Sequence, residues 1–258
     1  MNKVQIVIPM AGLGSRFANK GYTVPKPLIP IHGTPMIGVV AANLANAVAD
    51  HLILVCKREV METTDLPNSV SGFSGRVTVV AVDNLTEGPA ATVEAARAVV
   101  DLNRPLVIAN SDQYVDAPLD SFYEDITGGK LDGAVLCMRD DDPKWSYAQL
   151  DQNGFLLNIV EKKVVSPLAT VGIYGYAKAS YAFNSFASMR AAGDRTNNEY
   201  YVGPGYKYLV KDGLKISVHD LGAVSDVMFG LGIPEDLETF ARLEVSKRAS
   251  RAARVGIA

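Results

Sequence analysis

Residues 5–37, QIVIPMAGLGSRFANKGYTVPKPLIPIHGTPMI, constrain this chain more than any other stretch. An apolar run over 6–9 enters a small-residue loop, Ala11-Gly12-Leu13-Gly14-Ser15-Arg16, and a lysine bracketed by prolines follows, Pro25-Lys26-Pro27. A buried strand ending in glycine-rich turn chemistry is where α/β proteins place anions, because free backbone N–H groups can converge there. Arg16 and Lys26 add fixed positive charge, which suits a triphosphate. The flanking prolines restrict the backbone around Lys26, a restriction of little use to a surface lysine.

The loop is neither a dinucleotide fingerprint nor a P-loop. Phe17 stands where a third glycine would fall, no acidic residue closes a second strand about 20 residues on, and no Gly-Lys-Ser/Thr follows. The rest of the chain alternates around it. Apolar runs over 3–9, 51–57, 76–82 and 105–110 read as strands, and 34–49 and 84–100 read as helices, with Thr34 and Pro35 as N-cap and N1. Residues 61–76 read as a polar connection. This rhythm predicts a mostly parallel sheet. After residue 131 it changes to strands at 132–139, 170–178 and 215–221, a hairpin over 147–162 turning at Asn153-Gly154, and helices at 180–192 and 234–255. Lys247, Arg248, Arg251 and Arg254 read as a solvated face of the last helix.

Length fits one domain over 1–258, with a nucleotide-binding half (1–130), an acceptor-binding half (131–233) and a C-terminal helix (234–258). A net charge of −3 argues against nucleic acid as a partner, and no apolar run reaches the length of a membrane span. The N-terminus lacks signal-peptide character. Cys56 and Cys137 sit in apolar runs without Cys or His at metal spacing, so they are expected to be reduced core residues of a cytoplasmic protein. His32, His51 and His219 are scattered and form no triad or metal pattern. The sequence leaves homo-oligomerisation open.

In open α/β sheets ligands sit beyond the C-terminal strand ends. The loop at 11–16, the turn at 84–89 with Gly88, and Asp112 all follow strands there, so they are expected to share one crevice. Asp112 is a hard oxygen ligand placed where a divalent ion bridges phosphates. Gly88 permits close approach of a flat base. Tyr147, Glu161, Lys162, Gly172 and Glu199 would each pass for ordinary residues alone.

Together these residues resemble the sugar-phosphate nucleotidyltransferases, the pyrophosphorylase family, over nearly the whole chain. The resemblance rests above all on AGLGSRF…PKPLIPIHGTPMI. It implies a Rossmann-like, GT-A-related three-layer α/β sandwich with a mostly parallel central sheet and a hairpin-rich acceptor lobe. It implies transfer of a nucleoside monophosphate from CTP, UTP or dTTP to a phosphorylated sugar or similar small phosphomonoester, with Mg2+ as cofactor and pyrophosphate leaving. Ala11, Gly12, Gly14, Ser15, Arg16 and Lys26 would hold the phosphates, and Glu87 and Gly88 the base. Asp112 would hold the metal. Trp145, Tyr147, Glu161, Lys162, Gly172 and Glu199 would line the acceptor pocket, with Arg16, Lys26 and Lys162 the catalytic cations. Many relatives carry a second metal aspartate just before a closing "GTPEDL". Here that stretch reads FGLGIPEDL, with Gly230 and Gly232 in its place, and Asp226 is the nearest upstream substitute. The wording IANSDQYVD and KWSYA is closest to small members associated with bacterial surface-polysaccharide loci.

Two other functions were weighed. A glycosyltransferase of the related fold would show a D-x-D metal motif, whereas the aspartates here fall at 112 and 116. A catalytically silent nucleotide-sugar-binding protein is favoured only by the missing second aspartate.

Overall fold

The computed structural model describes residues 2–255, so residues 256–258, part of the expected C-terminal helix, lie outside the described residues. Nine strands form one sheet: β1 (Val4–Pro9), β2 (Ala49–Lys57), β3 (Arg76–Val82), β4 (Leu106–Ala109), β5 (Gly133–Arg139), β6 (Ser146–Leu150), β7 (Leu156–Glu161), β8 (Leu168–Tyr176) and β9 (Ile216–Ala223). The order is β7-β6-β8-β4-β1-β2-β3, with β5 beside β8 and β9 beside β5. Strands β3, β2, β1 and β4 run parallel. Strand β8 joins them antiparallel to β4 and opens the second half. This is a mixed α/β fold around a large, mostly parallel central sheet, as expected.

The parallel strands are apolar on both faces because both faces are covered. Ile6, Ile8, Leu52 and Leu54 point to one layer with Ile37, Val40 and Leu44 of α1 (Met36–Leu44). Phe122 and Ile126 of α3 (Asp120–Thr127) join that layer. Val7, Ile53 and Val55 point to the other, with Ala90 and Val93 of α2 (Pro89–Glu94) and Phe183 and Phe186 of α4 (Ala179–Ala191). Period-two alternation inside each strand therefore builds three layers. The chain places β2 and β3 on one side of β1 and β4 on the other. That reversal is the topological switch point where open sheets bind ligands.

A third cluster lies under the glycine loop. Phe17, Ile29 and Ile31 meet Tyr114, Leu231, Leu237 and Phe240 there, with Ala249 and Ala253. It is closed by two helices rather than the single one expected, α5 (Pro234–Ala241) and α6 (Glu244–Val255). The break between them lets Phe240 and Ala249 enter one cluster while Ser246 bonds His32 Nε2 at 2.8 Å and Ser250 donates to the Ile31 carbonyl at 2.9 Å. The basic residues of α6 are exposed, as expected, and two of them also tie the helix to its neighbours. Arg248 reaches both Asp116 oxygens, at 2.9 and 2.7 Å, and Arg254 Nε donates to Thr34 Oγ1 at 2.8 Å.

Thr34 is consequently not a helix cap. Thr34–Pro35 pairs as a two-residue strand with Pro30–Ile31, and α1 starts after Pro35 without a side-chain cap. The expected polar connection at 61–76 contains two helical turns, Arg58–Thr63 and Leu66–Ser69; Asp65 caps the second by accepting from the Asn68 N–H. Two three-residue strands, Gln113–Val115 and Met228–Gly230, pair antiparallel. They were not visible in the sequence, because neither is long enough to show a period. Their pairing brings the 228–236 stretch against Asp112.

Candidate active site

The glycine loop is local chemistry. Gly14 lies at φ 61°, ψ 23°, the left-handed region that turns the chain from β1 into the short helix Ser15–Ala18. A Cβ at Gly14 would come within 3.3 Å of Lys26 Cβ, so loop and lysine pack together. Pro25 is extended at ψ 136°, and Lys26 starts a single 3₁₀ turn whose Pro27 is buried. The lysine is thereby aimed inward, and its Nζ lies 2.6 Å from Asp112 Oδ2, both side chains about a quarter exposed. The two ionic residues singled out in the sequence, 86 positions apart, meet at the switch point.

Two cavities adjoin this pair. The smaller, about 280 Å³, is bounded by Ala11, Gly12, Lys26, Thr86, Gly88, Asp112 and Glu199. The larger, about 470 Å³, is bounded by Arg16, Asp112, Trp145, Glu161, Lys162, Gly172, Tyr201 and Asp236 among others. Asp112 belongs to both. Gly88 does allow a close approach, but to protein. At φ 110° its Cβ would fall 2.7 Å from the Tyr200 carbonyl oxygen and 2.8 Å from its nitrogen. Backbone bonds from Tyr200 N to the Glu87 carbonyl (2.7 Å) and from Ala90 N to the Tyr200 carbonyl (3.0 Å) join these two segments. Glu87 does not face a cavity. Its carboxylate is held by Arg190 at 3.0 Å and Arg195 at 3.1 Å, which also stack on Tyr200 with guanidinium carbons 5.1 and 4.9 Å from the ring centre. Its place is to hold the loop.

The larger cavity is walled by the hairpin half. Glu161 ends β7, paired with Ser146 across the ladder, and Ser146 Oγ donates to its carboxylate. Burial pushes the Glu161 carboxyl above the ordinary carboxylate range; the Ser146 bond and the Lys162 charge oppose that rise. Lys162 follows at φ 54°, a left-handed backbone that a lysine adopts only under constraint. Its N–H donates to the Trp145 carbonyl at 2.9 Å and its Nζ to Tyr201 Oη at 2.7 Å. Trp145 Nε1 donates to Asp140 Oδ2 at 2.6 Å, which fixes the indole on the cavity wall. Gly172 sits at φ 76° in the irregular centre of β8, where a Cβ would collide with Asn110 Nδ2 at 2.3 Å and Gln113 Oε1 at 2.5 Å.

Besides Glu87, four expected site residues line neither cavity, and Glu199, expected in the acceptor pocket, lines only the smaller one. Tyr147 is fully buried, in the layer under α1, and its hydroxyl donates to the Asp142 carbonyl at 2.7 Å. The strand period explains this: Ser146 and Tyr147 alternate faces, so only one of them can reach the cavity. Ser15 lines neither cavity, being on the outer turn of its helix. Asp226 is exposed, accepts from Ser225 Oγ at 2.9 Å and lines neither cavity. The carboxylate that lines the larger cavity from this end of the chain is Asp236, whose Oδ2 would lie 3.3 Å from a Cβ at Gly230. Gly14 borders a third hollow of about 220 Å³ behind the loop.

Sequence reasoning also missed Asn110, Gln113, Thr170, Tyr201 and Asp236, all on the larger cavity's wall. Gln113 Nε2 is buried without a partner, which costs about 1–3 kcal/mol unless a ligand supplies one. Only Asp236 had a signal, the closing PEDL stretch. Ser217, His219 and Asp125 do meet, yet both donors share one oxygen, at 2.6 and 2.9 Å, so no relay passes through the imidazole. Cys56 and Cys137 are free and buried; burial pushes the Cys56 thiol up to about 11, so it carries no thiolate at neutral pH.

A divalent cation is implied by the family resemblance, and the wall fits one. A Cβ at Gly232 would lie 2.9 Å from Asp112 Oδ2, so the glycine leaves open the space beside the carboxylate that any side chain would fill. Among the described residues no three His, Cys, Asp or Glu side chains cluster as a metal cage. Fewer than three such groups would therefore hold the ion, Asp112 being the expected one, which would leave most of the coordination to oxygen atoms of phosphates and water.

Comparison with known proteins agrees with this geometry. Residues 6–148 match the model of the MobA-like NTP transferase domain. A mannose-1-phosphate guanyltransferase from Kluyveromyces lactis is 27% identical over 170 residues, 64% of this chain; the match spans 46% of that protein, so the chain covers about half the length of its curated relative. Among solved structures, a nucleoside-diphosphate-sugar pyrophosphorylase from Vibrio cholerae superposes with a TM-score of 0.78 at 22% identity, covering 93% of this chain and 100% of the other. The inositol-1-phosphate CTP transferase from T. maritima superposes with a TM-score of 0.74 at 13% identity, covering 100% and 98%. Both share the fold. With more than half its length matched, including the glycine loop, Lys26 and Asp112, the chain belongs to the family of MobA-like NTP transferase domains.

Proposed function

We propose that this protein transfers a nucleoside monophosphate from CTP, UTP or dTTP to a phosphorylated sugar or similar small phosphomonoester, releasing pyrophosphate. The observation that carries this reading is the Lys26–Asp112 pair standing between two adjoining cavities. A donor and an acceptor can then meet at one ionic centre. The triphosphate lies along Gly12, Arg16 and Lys26, and its base enters the smaller cavity beside Gly88. The acceptor phosphate enters the larger one beside Lys162. A phosphomonoester oxygen attacks the α-phosphorus, the bond from that phosphorus to the β-bridging oxygen breaks, and pyrophosphate leaves with the electron pair. No proton transfer is needed if the acceptor phosphate is a dianion. The work left to the protein is positioning and neutralisation of charge.

Lys26 and Arg16 offset charge on the leaving phosphates. Lys162 holds the attacking phosphate beside the α-phosphate against their mutual repulsion. Glu161, Ser146 and Trp145 contact the body of the acceptor. Asp112 would hold Mg2+, which when bound neutralises phosphate charge in the same place. The nucleotide-sugar chemistry named for the Kluyveromyces and Vibrio relatives supports a sugar phosphate as acceptor, and synthesis of activated precursors for surface polysaccharide in the cytoplasm is the role that fits. No helix among the described residues is long and apolar enough to cross a membrane. The test is pyrophosphate release from each NTP with a panel of phosphorylated acceptors and Mg2+. Release only with an acceptor present supports the proposal. Transfer of a sugar from a nucleotide sugar, or binding without turnover, would replace it with the glycosyltransferase or the silent-binder reading.

A further inference from the structure

We infer that Tyr201 is a positioning residue: it fixes Lys162 in the acceptor cavity and ties it to Glu199 on the nucleotide cavity. The inference rests on the reading of Lys162 given under Proposed function. Three side chains from two distant segments form one hydrogen-bonded row. Lys162 Nζ donates to Tyr201 Oη at 2.7 Å, and Tyr201 Oη donates to Glu199 Oε2 at 2.6 Å. Lys162 Nζ lies 4.8 Å from the centre of the Tyr201 ring, beyond the hydroxyl, so the contact is made to the oxygen. Lys162 and Tyr201 border the larger cavity, while Glu199 borders the smaller.

The row has a direction. Burial and the neighbouring Glu199 carboxylate push the Tyr201 phenol well above its ordinary range, so it stays protonated and its O–H donates a hydrogen bond to Glu199. Its lone pairs then face the ammonium. A lysine carries three donors and four rotatable bonds, and holding one geometry costs about 2 kcal/mol of side-chain freedom. Here the backbone is already held in the left-handed region by the Trp145 carbonyl, and Tyr201 fixes the far end. The ammonium is thus held in place before the acceptor phosphate arrives, with donors left for it. Because Glu199 N and O both bond Thr196, and Tyr200 is zipped to Glu87, the 196–201 segment that carries Tyr201 and Glu199 is itself a rigid bracket.

The experiment uses the full chain and the NTP and acceptor pair found by the pyrophosphate-release panel. Tyr201→Phe keeps the ring and removes only the oxygen. It is expected to raise the acceptor KM about tenfold, as loss of a hydrogen bond to a charged group does, with the NTP KM and Tm unchanged. In a Lys162→Met background the same change is expected to add nothing. Glu199→Gln is expected to raise the acceptor KM as well, although Glu199 borders the other cavity. Unchanged acceptor KM in Tyr201→Phe, an equal effect with and without Lys162, or a Glu199→Gln effect confined to the NTP KM would each overturn the inference. Full turnover by Lys162→Met alone would instead overturn the role given to Lys162, and a panel with no turnover would overturn the proposed function and this inference together.

Discussion

The two walls of the site are built in opposite ways. On the proposed nucleotide wall, Ala11, Gly12, Lys26 and Pro27 come from one short stretch set by the Gly14 turn and a 3₁₀ turn, and at Ala11 and Gly12 the wall is nearly bare backbone. On the proposed acceptor wall, Trp145, Glu161, Gly172, Tyr201 and Asp236 come from five separate segments, and side chains make up most of the surface. A backbone wall depends on local turn chemistry and tolerates little change in it. A side-chain wall depends on ladder register and on loops held by ion pairs, so it can be refitted to another acceptor while the sheet stays the same.

The largest expected effect breaks the nucleotide wall. Lys26→Ala should lower turnover by about 10²–10³, by analogy with removal of a single oxyanion donor, while the circular dichroism spectrum and Tm stay close to those of the parent. Near-parental kinetics would remove the lysine, and the asymmetry between the walls, from the mechanism. Next, Gly172→Ala should hurt the acceptor wall through strain. Its Cβ has no room beside the Asn110 and Gln113 amides, and its φ is left-handed, so a loss of about 1–3 kcal/mol in stability and a raised acceptor KM are expected, with the NTP KM spared. Equal rises in both KM values would mean the walls are not separable.

A smaller effect separates two aromatic positions that flank Ser146. Tyr147→Phe should cost about 1 kcal/mol in urea unfolding for its lost hydrogen bond and leave the acceptor KM unchanged. Trp145→Ala should do the reverse, raising the KM. The smallest effect concerns Glu161. Its folded carboxyl is raised by burial, so the stability linked to its protonated form is present below the usual range near 4.5 and is lost as pH rises through the folded value. Glu161→Gln should therefore gain stability near pH 7 relative to the parent and not near pH 4. A gain that is the same at both pH values would show that burial of the charge is not its cause.

Much of the parallel half was legible because its signals are local. Buried strands such as Val4–Pro9 and Ala49–Lys57 announce themselves as apolar runs, and a proline-bracketed lysine after a glycine loop is readable without a partner. The acceptor half was legible as elements but not as a wall. Tyr147 was expected at the cavity and lies in the core, since one step along a strand reverses the face. Glu87 was expected at the base and instead holds Arg190 and Arg195, partners about a hundred positions away. Asp226 was the nearest upstream carboxylate in sequence; Asp236, downstream, is the one on the cavity wall.

The sequence by itself therefore determined a glycine loop after a buried strand, a proline-bracketed lysine and an aspartate at a strand end, since each is written within one turn or one strand. Tertiary structure alone decided that Lys26 meets Asp112, that Tyr201 joins Lys162 to Glu199, and which of two neighbouring aromatic residues faces the acceptor. Those outcomes depend on register and on contacts between segments far apart in the chain. Local turn geometry carries no information about them.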